Sequence, residues 1–228
     1  MSSLLETFTR PAPVQAARPD VPAPPAVPAW YGPAKRILDV GVAGVGLALT
    51  SPLLVLAAAG IALVARENPI YRQERVGLGG RRFWMYKLRT MVGDADQRLD
   101  EVRHLNECDG PVFKIRRDPR LHCLGAVLRR TSIDELPNLV NVLLGDMAIV
   151  GPRPPLPSEV EHYEPAALRR LVVKPGVTCL WQISGRSHLS FEQWMALDNA
   201  YIDSWSPLGD VKIIARTIPA VIRGTGAH

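Results

Sequence analysis

Residues 37–65 read ILDVGVAGVGLALTSPLLVLAAAGIALVA, and from Val40 to Ala65 no side chain is charged. By length the run is a membrane segment, since about 20 apolar residues cross the hydrocarbon of a bilayer as a helix. Two features argue against simple crossing. Basic residues stand at both ends, Lys35 and Arg36 before and Arg66, Arg72 and Arg75 after, whereas a spanning helix collects its Lys and Arg on one side. Thr50-Ser51-Pro52 falls at the midpoint, where proline removes a backbone hydrogen bond and a neighbouring hydroxyl can satisfy the freed carbonyl. Residues 34–66 are therefore expected to form a re-entrant helix, kinked at Ser51-Pro52, that enters and leaves on one face. A kinked helix that crosses the bilayer is the alternative on these grounds.

Upstream, residues 1–33 hold eight of the 21 prolines and almost no hydrophobic periodicity. Such a stretch buries too little apolar surface to offset its ordering entropy and reads as a disordered, polyproline-like tail. It does not resemble a secretory signal. Downstream, residues 67–228 are long enough for one domain with a core of its own. PIYRQERVGLGGRRFWMYKLRTM places two short runs rich in Tyr, Val, Phe and Trp around Gly77-Leu78-Gly79-Gly80, the pattern of a β-hairpin. Arg72, Arg75, Arg81, Arg82, Lys87 and Arg89 decorate it, so it would face lipid headgroups or an anionic substrate.

Further on, the spacing predicts a polar helix over residues 91–110, a short basic helix ending at Arg130, and an apolar helix closed by Gly145. A strand over Met147–Val150, a charged helix over residues 158–171, turn and strand from residue 173, a helix around Trp194 and Tyr201, and a last helix over Val211–Ile222 follow. The last has a broad apolar face suited to a membrane interface. The fold class is helix-rich α+β.

Lys and Arg exceed Asp and Glu by 27 to 22, which suits an anionic partner without naming one. Cys108, Cys123 and Cys179 form no CxxC pair and the five histidines no HExxH, so neither a disulfide framework nor a zinc site is expected. No P-loop or complete GxGxxG is present. Cys179, Trp181, Trp194 and Trp205 read as core or interfacial residues. Arg116, Arg117 and Arg120 suit either a nucleotide phosphate or a solvated turn.

The chemistry concentrates at residues 131–138, TSIDELPN. Ser132-Ile133-Asp134-Glu135 fits a capping box, with acids in a first helical turn. Adjacent helical residues point about 100° apart and form no shared-proton dyad, but two carboxylates beside one phosphate can divide labour. One attacks phosphorus and the other holds a divalent ion. Cations to admit the substrate are at hand in Arg129, Arg130, Arg153, Lys87 and Arg89.

From Ala34 onward the chain resembles the bacterial sugar transferases, monotopic phosphoglycosyl transferases that start exopolysaccharide, capsule and O-antigen assembly. The likeness rests on KRILDV, the TSP segment, the hairpin sequence, FKIRRDPR, GAVLRRTSIDELPNLVNVLLGDMAIVGPRPPLPSEV, KPGVTCLWQISGR and LDNAYIDSWSPLGDVKII in order. It implies a membrane helix broken at Ser51-Pro52, with the catalytic domain on the cytoplasmic face of the bacterial inner membrane. It implies that Asp134 attacks the β-phosphate of a UDP-sugar, expels UMP, and passes the sugar phosphate to undecaprenyl phosphate. Glu135 would hold Mg²⁺, Arg129 would bind phosphate, and the Pro152-Arg153-Pro154 loop would bind the nucleotide sugar. Lys35 and Arg36 would meet phospholipid headgroups, and Asp198 and Tyr201 match the family's LDxxY element.

A membrane-tethered polybasic recruitment module is the rival from another class, but it leaves the acidic pair without a task. A nucleic-acid partner is disfavoured by the apolar segment and the lack of a recognised motif. The sugar and the oligomeric state, a homo-oligomer included, are left open.

Overall fold

The structure, a computed structural model, describes residues 19–23, 26–185 and 189–223. Helix dominates, at 54%. The first element is α1 (Tyr31–Val64), 34 residues long. The hairpin follows as β1 (Ile70–Val76) and β2 (Arg82–Leu88), antiparallel, with Tyr71 opposite Lys87 and Arg75 opposite Phe83. Then come α2 (Leu99–Val102), α3 (Cys123–Arg130), a 3₁₀ turn over Ile133–Glu135, and α4 (Asn138–Leu144). Next, β3 (Ala148–Val150) pairs in parallel with β4 (Gly176–Thr178). Their connection carries α5 (Pro157–Val160), α6 (Pro165–Leu168) and a 3₁₀ turn over Arg169–Val172. The chain ends in α7 (Leu180–Ser184), α8 (Phe191–Asp203) and α9 (Pro207–Arg223).

The main core joins β2, α4, β3 and the 169–173 segment through Phe83, Met85, Leu139, Val142, Met147, Ile149, Val150, Val172 and Val173. α8 and α9 add Tyr201, Ile202 and Ile213, and α1 adds Ala43. α4 is fixed to β2 by Asn141, wholly buried, whose Oδ1 accepts from the Tyr86 amide at 3.1 Å and whose Nδ2 donates to the Trp84 carbonyl at 2.7 Å. α4 ends where Gly145 adopts φ 86° and its amide returns to the Asn141 and Val142 carbonyls, a left-handed cap that glycine makes without strain.

α1 runs as one continuous helix through Pro52. The Ser51 hydroxyl donates to the Ala48 carbonyl at 3.0 Å, the acceptor that proline at position 52 leaves free, and Thr50 Oγ1 donates to Gly46 at 2.7 Å. Its buried residues, Tyr31, Lys35, Asp39, Ala43, Ala57 and Ile61, line the domain side in two groups. The second group, with Leu54, packs against Leu88, Leu124, Leu128 and Ile133. Nine large apolar side chains face outward, among them Leu49, Leu56 and Leu63 at 76, 71 and 79% exposure. Left in water they would forfeit on the order of 10 kcal/mol of burial energy, comparable with the net stability of a whole domain. α1 is a membrane-anchoring helix by this criterion.

Several expectations are corrected. Residues 91–110 form turns, the short α2 and a 3₁₀ turn, not one helix. Residues 158–171 break into α5, α6 and a 3₁₀ turn, because Pro165 cannot continue a helix and starts a new one. The segment from residue 173 adds α7 after its strand. The capping box at Ser132 does not form: Ser132 is left-handed at φ 56° and its side chain caps nothing. A capping box does stand at Ser190, whose Oγ accepts from the Gln193 amide while Gln193 Oε1 accepts from the Ser190 amide. The tail expectation falls largely on residues 1–18, outside the described residues. Within the described part, Val21 packs on the core and Pro19 lies so close to Gly80 that a Cβ there would sit 2.6 Å from Pro19 Cδ.

Candidate active site

The acidic pair sits where three elements meet: the 3₁₀ turn, β2 and α3. Ile133 is drawn into the apolar cluster beneath the second half of α1, so the next residue is held against the domain, and Asp134 is only 7% exposed. Glu135 stands further out and accepts from Lys87 Nζ at 2.8 Å. The turn is a single 3₁₀ turn of three residues. It therefore lacks the helix N-terminus, and the dipole, that the sequence pattern suggested.

α3 reaches this point through a close contact. Gly125 packs so tightly on the Thr90 carbonyl that any Cβ would clash, and the His122 ring caps the helix by accepting from the Gly125 amide at 3.0 Å. Four residues on, Arg129 Nε donates to Thr90 Oγ1 at 3.0 Å, within electrostatic reach of Asp134.

The Pro-Arg-Pro loop comes from the end of β3 and is held by its carbonyls. Pro152 O accepts from the Gly176 amide at 2.9 Å, Arg153 O from Arg170 at 3.1 Å, Pro154 O from Arg75 at 2.9 Å, and Pro155 O from the Val76 amide at 2.9 Å. Three of these four residues are proline and bring no amide that needs a partner. All four carbonyls are tied, and the half-buried Arg153 side chain acts on Glu135, Lys87, Arg75 and Arg129.

The two acids differ sharply in basicity. Burial, then the charge of Glu135, push the Asp134 carboxyl up to about 6 against the pull of Lys87 and Arg129. Burial would also raise Glu135, but the Lys87 cation, then Arg153 and Arg75, overrule it and hold Glu135 down to about 2. Burial lowers Lys87, with Glu135 pulling back, and lowers the wholly enclosed Arg75 to about 10. Four cations, Arg75, Lys87, Arg129 and Arg153, thus surround two carboxylates. The excess of two positive charges is the complement of a diphosphate.

Not every residue singled out in the sequence joins this site. Arg89 lies over the Tyr71 ring and donates to the Asn68 carbonyl, engaged with the start of the hairpin. Asp198 is buried in an ion pair with Arg170 at 2.7 Å. Tyr201 belongs to another cluster, its hydroxyl 2.9 Å from Asp210 and 3.0 Å from the Val150 carbonyl.

Lys35 is a correction: it is turned inward, 7% exposed, with Nζ 2.8 Å from Asp210 and 3.1 Å from the Val150 carbonyl. A lysine so enclosed cannot meet headgroups. Arg36 donates to the Val142 and Leu143 carbonyls, at 2.6 and 2.9 Å, completing the end of α4. Arg120 is spent on a buried two-pronged pair with Asp118, while Arg116 and Arg117 are exposed. Trp181 and Trp194 stack at 4.5 Å over Cys179 in a satellite core.

Sequence reasoning missed Arg75 as a site residue, and missed Asn141, Asp210 and Arg170. The hairpin motif contained Arg75, but only its contact with Pro154 marks it out. Asp39 and Asp210 carried a faint signal, as charges within otherwise apolar stretches.

A carboxylate pair of unequal basicity, with cations around it, thus stands on a turn packed beneath the apolar helix α1. Residues 30–224 match the bacterial sugar transferase family, and the chain belongs to it. It is a sugar-phosphate transferase, so the non-catalytic recruitment-module reading is set aside.

Among its relatives is the galactosyl transferase CpsE of Streptococcus agalactiae, 43% identical over 85% of this chain and 43% of that protein. The exopolysaccharide production protein ExoY of Rhizobium meliloti is 41% identical over 86% and 89%. The UDP-glucose:undecaprenyl-phosphate glucose-1-phosphate transferase of Caulobacter vibrioides is 40% identical over 85% and 72%. The chain thus spans less than half of CpsE and most of ExoY.

Proposed function

We propose that the protein transfers a sugar 1-phosphate from a UDP-sugar to undecaprenyl phosphate, releasing UMP and starting the assembly of an exopolysaccharide, capsule or O-antigen glycan. The observation that carries this reading is the pairing of a buried, basic Asp134 with an anionic Glu135 inside a ring of four cations. The names of relatives such as the Caulobacter enzyme supply the substrate class.

In the first half-reaction an Asp134 oxygen attacks the β-phosphorus. The bond from that phosphorus to the bridging oxygen breaks, and UMP leaves with the electron pair. Burial favours Asp134 as nucleophile, because a carboxylate stripped of water is more basic and more reactive. Arg129 and Arg153 bind phosphate oxygens as charge builds up there. In the second half-reaction a phosphate oxygen of undecaprenyl phosphate attacks the same phosphorus, the acyl phosphate bond breaks, and the Asp134 carboxylate returns.

Among the described residues no three His, Cys, Asp or Glu side chains cluster as a metal site. That donor set still fits Mg²⁺, which at phosphate sites is held by one or two carboxylates with phosphate and water completing the shell. Glu135, anionic and half-exposed, would hold it, and the ion when bound supplies charge neutralisation of the diphosphate.

The membrane placement follows the same logic. Lys35 and Ile61 both contact the one catalytic domain, yet they lie about 39 Å apart along a straight helix, more than the ~30 Å hydrocarbon core. A helix crossing the bilayer upright would drag the polar domain through lipid. The exposed Ser51-Pro52-Leu53 stretch lies between the two packed groups, which supports a re-entrant apex at Pro52 with the catalytic domain on the cytoplasmic face. The exposed Leu208, Val211 and Ile218 of α9 suit the interface of the same membrane.

The test is to incubate purified protein with radiolabelled UDP-sugar and no lipid acceptor. Wild type should acquire a phosphosugar adduct and Asp134→Asn should not; equal labelling of the two defeats covalent catalysis at Asp134. A cysteine introduced before Lys35 should react only from the cytosolic side, and periplasmic labelling would defeat the re-entrant topology.

A further inference from the structure

Arg170 is 5% exposed and its outer nitrogens are committed: Nη1 donates to Tyr163 Oη at 2.8 Å, and Nη2 reaches Asp198 Oδ2 at 2.7 Å and the Arg153 carbonyl at 3.1 Å. Asp198 is 2% exposed. Neither group can touch a substrate. A buried ion pair is also a poor way to gain stability, since desolvation consumes most of the Coulomb energy and an apolar pair of the same volume often does as well. What the pair adds is geometry: the planar guanidinium joins three elements, α8 through Asp198, the α5–α6 link through Tyr163, and the anion-binding loop through Arg153.

Next to it, Arg169 and Asp203 form a second ion pair between the same 3₁₀ turn and α8, on the surface and with no link to the loop. It is a natural internal control.

We propose that Arg170 and Asp198 are positioning residues for the nucleotide-sugar site, holding the Arg153 backbone so that its guanidinium meets the diphosphate. This rests on the reading above that Arg153 binds phosphate. It also accounts for the aspartate of the LDxxY element without putting it in the site: Asp198 orients Arg170, and Arg170 orients Arg153.

The test uses the full chain in detergent, with UDP as the titrated ligand and thermal melting recorded beside it. Replacing both partners by apolar residues, Arg170→Met with Asp198→Leu, removes the buried charges together but also the donor to Tyr163 Oη and the Arg153 carbonyl, so the melting temperature should fall by several degrees while the melt stays cooperative. UDP binding should weaken about tenfold, the scale of a coupling transmitted through one contact. In an Arg153→Ala background the same double change should cause no further loss. Removing the surface pair, Arg169→Ala with Asp203→Ala, should leave UDP affinity unchanged.

Arg170→Lys guards against misfolding of the double variant, since it keeps a charge for Asp198 while giving up the planar fork; it should weaken UDP several-fold, and only where Arg153 is present. Wild-type affinity in either Arg170 variant overturns the proposal, as does an equal loss with and without Arg153. If Arg153→Ala alone binds UDP normally, the reading of Arg153 as a phosphate ligand has failed, a result distinct from failure of the pair.

Discussion

Asp134 is asked to be ionised in a place that disfavours charge. In the unfolded chain an aspartate titrates near 3.9, while in the fold burial and Glu135 push Asp134 up to about 6. The folded state thus binds this proton more tightly. The associated stability is present below about pH 4 and is lost as pH rises through 6. Two pKa units correspond to about 3 kcal/mol carried as a cost at neutral pH. Asp134→Asn should therefore raise the melting temperature by roughly 6–12 °C at pH 7.5, with the gain vanishing at pH 4, while abolishing adduct formation. Differential scanning at the two pH values checks the first effect. Adduct formation by wild type should fall on an acid limb centred near pH 6, because only the carboxylate attacks. A rate independent of pH from 5 to 8 would remove Asp134 from the chemical step.

At the scale of the element, the hairpin and α4 matter most. β2 delivers Lys87 to Glu135 and β1 delivers Arg75 to Pro154, so the strand pair aims two of the four cations. Asn141 joins that hairpin to α4 by satisfying a buried amide and a buried carbonyl at once. Asn141→Leu would strand both and should cost about 2–4 kcal/mol, read from chemical or thermal unfolding. Lys87→Met leaves Glu135 without its nearest cation. Glu135 is then expected to titrate closer to an ordinary glutamate, and the protein to lose about 1–2 kcal/mol at pH 7, less than for a fully buried pair because water reaches Glu135. These elements were only partly legible. The hairpin, the helix closed by Gly145 and the strand at Ala148–Val150 announced themselves through period-2 runs and glycine. Residues 91–110 did not, because a polar stretch with helical composition carries no packing partner in its own sequence, and packing decides whether such a stretch stays helical.

At the scale of the whole molecule, α1 is bolted to the catalytic domain by a buried polar cluster. Tyr31 and Lys35 both reach Asp210 Oδ2, Tyr201 reaches Asp210 Oδ1, and Asp39 accepts from the Ile149 amide at 2.9 Å. The first half of the membrane helix is thereby tied to β3, α8 and α9, which suits the proposed reaction, in which one substrate comes from water and the other from lipid. Lys35→Met strands the Asp210 carboxylate and should destabilise the protein by about 3–5 kcal/mol, seen as loss of a cooperative melt in detergent at a temperature where wild type stays folded.

The sequence by itself determined the membrane helix, from an uncharged run too long for a small core. It also singled out the acidic pair and its arginines as a candidate centre, because their order along the chain resembles one family throughout. Those features are written in neighbouring residues. Only the tertiary structure decided that Lys35 is an internal tie instead of a headgroup ligand, that Ser132 caps nothing, and that Asp198 and Tyr201 stand behind the site and not in it. The physical reason is common to all three. A polar side chain acquires its role from the partner that satisfies it, and here those partners come from distant parts of the chain or from a backbone turn that local pattern does not fix.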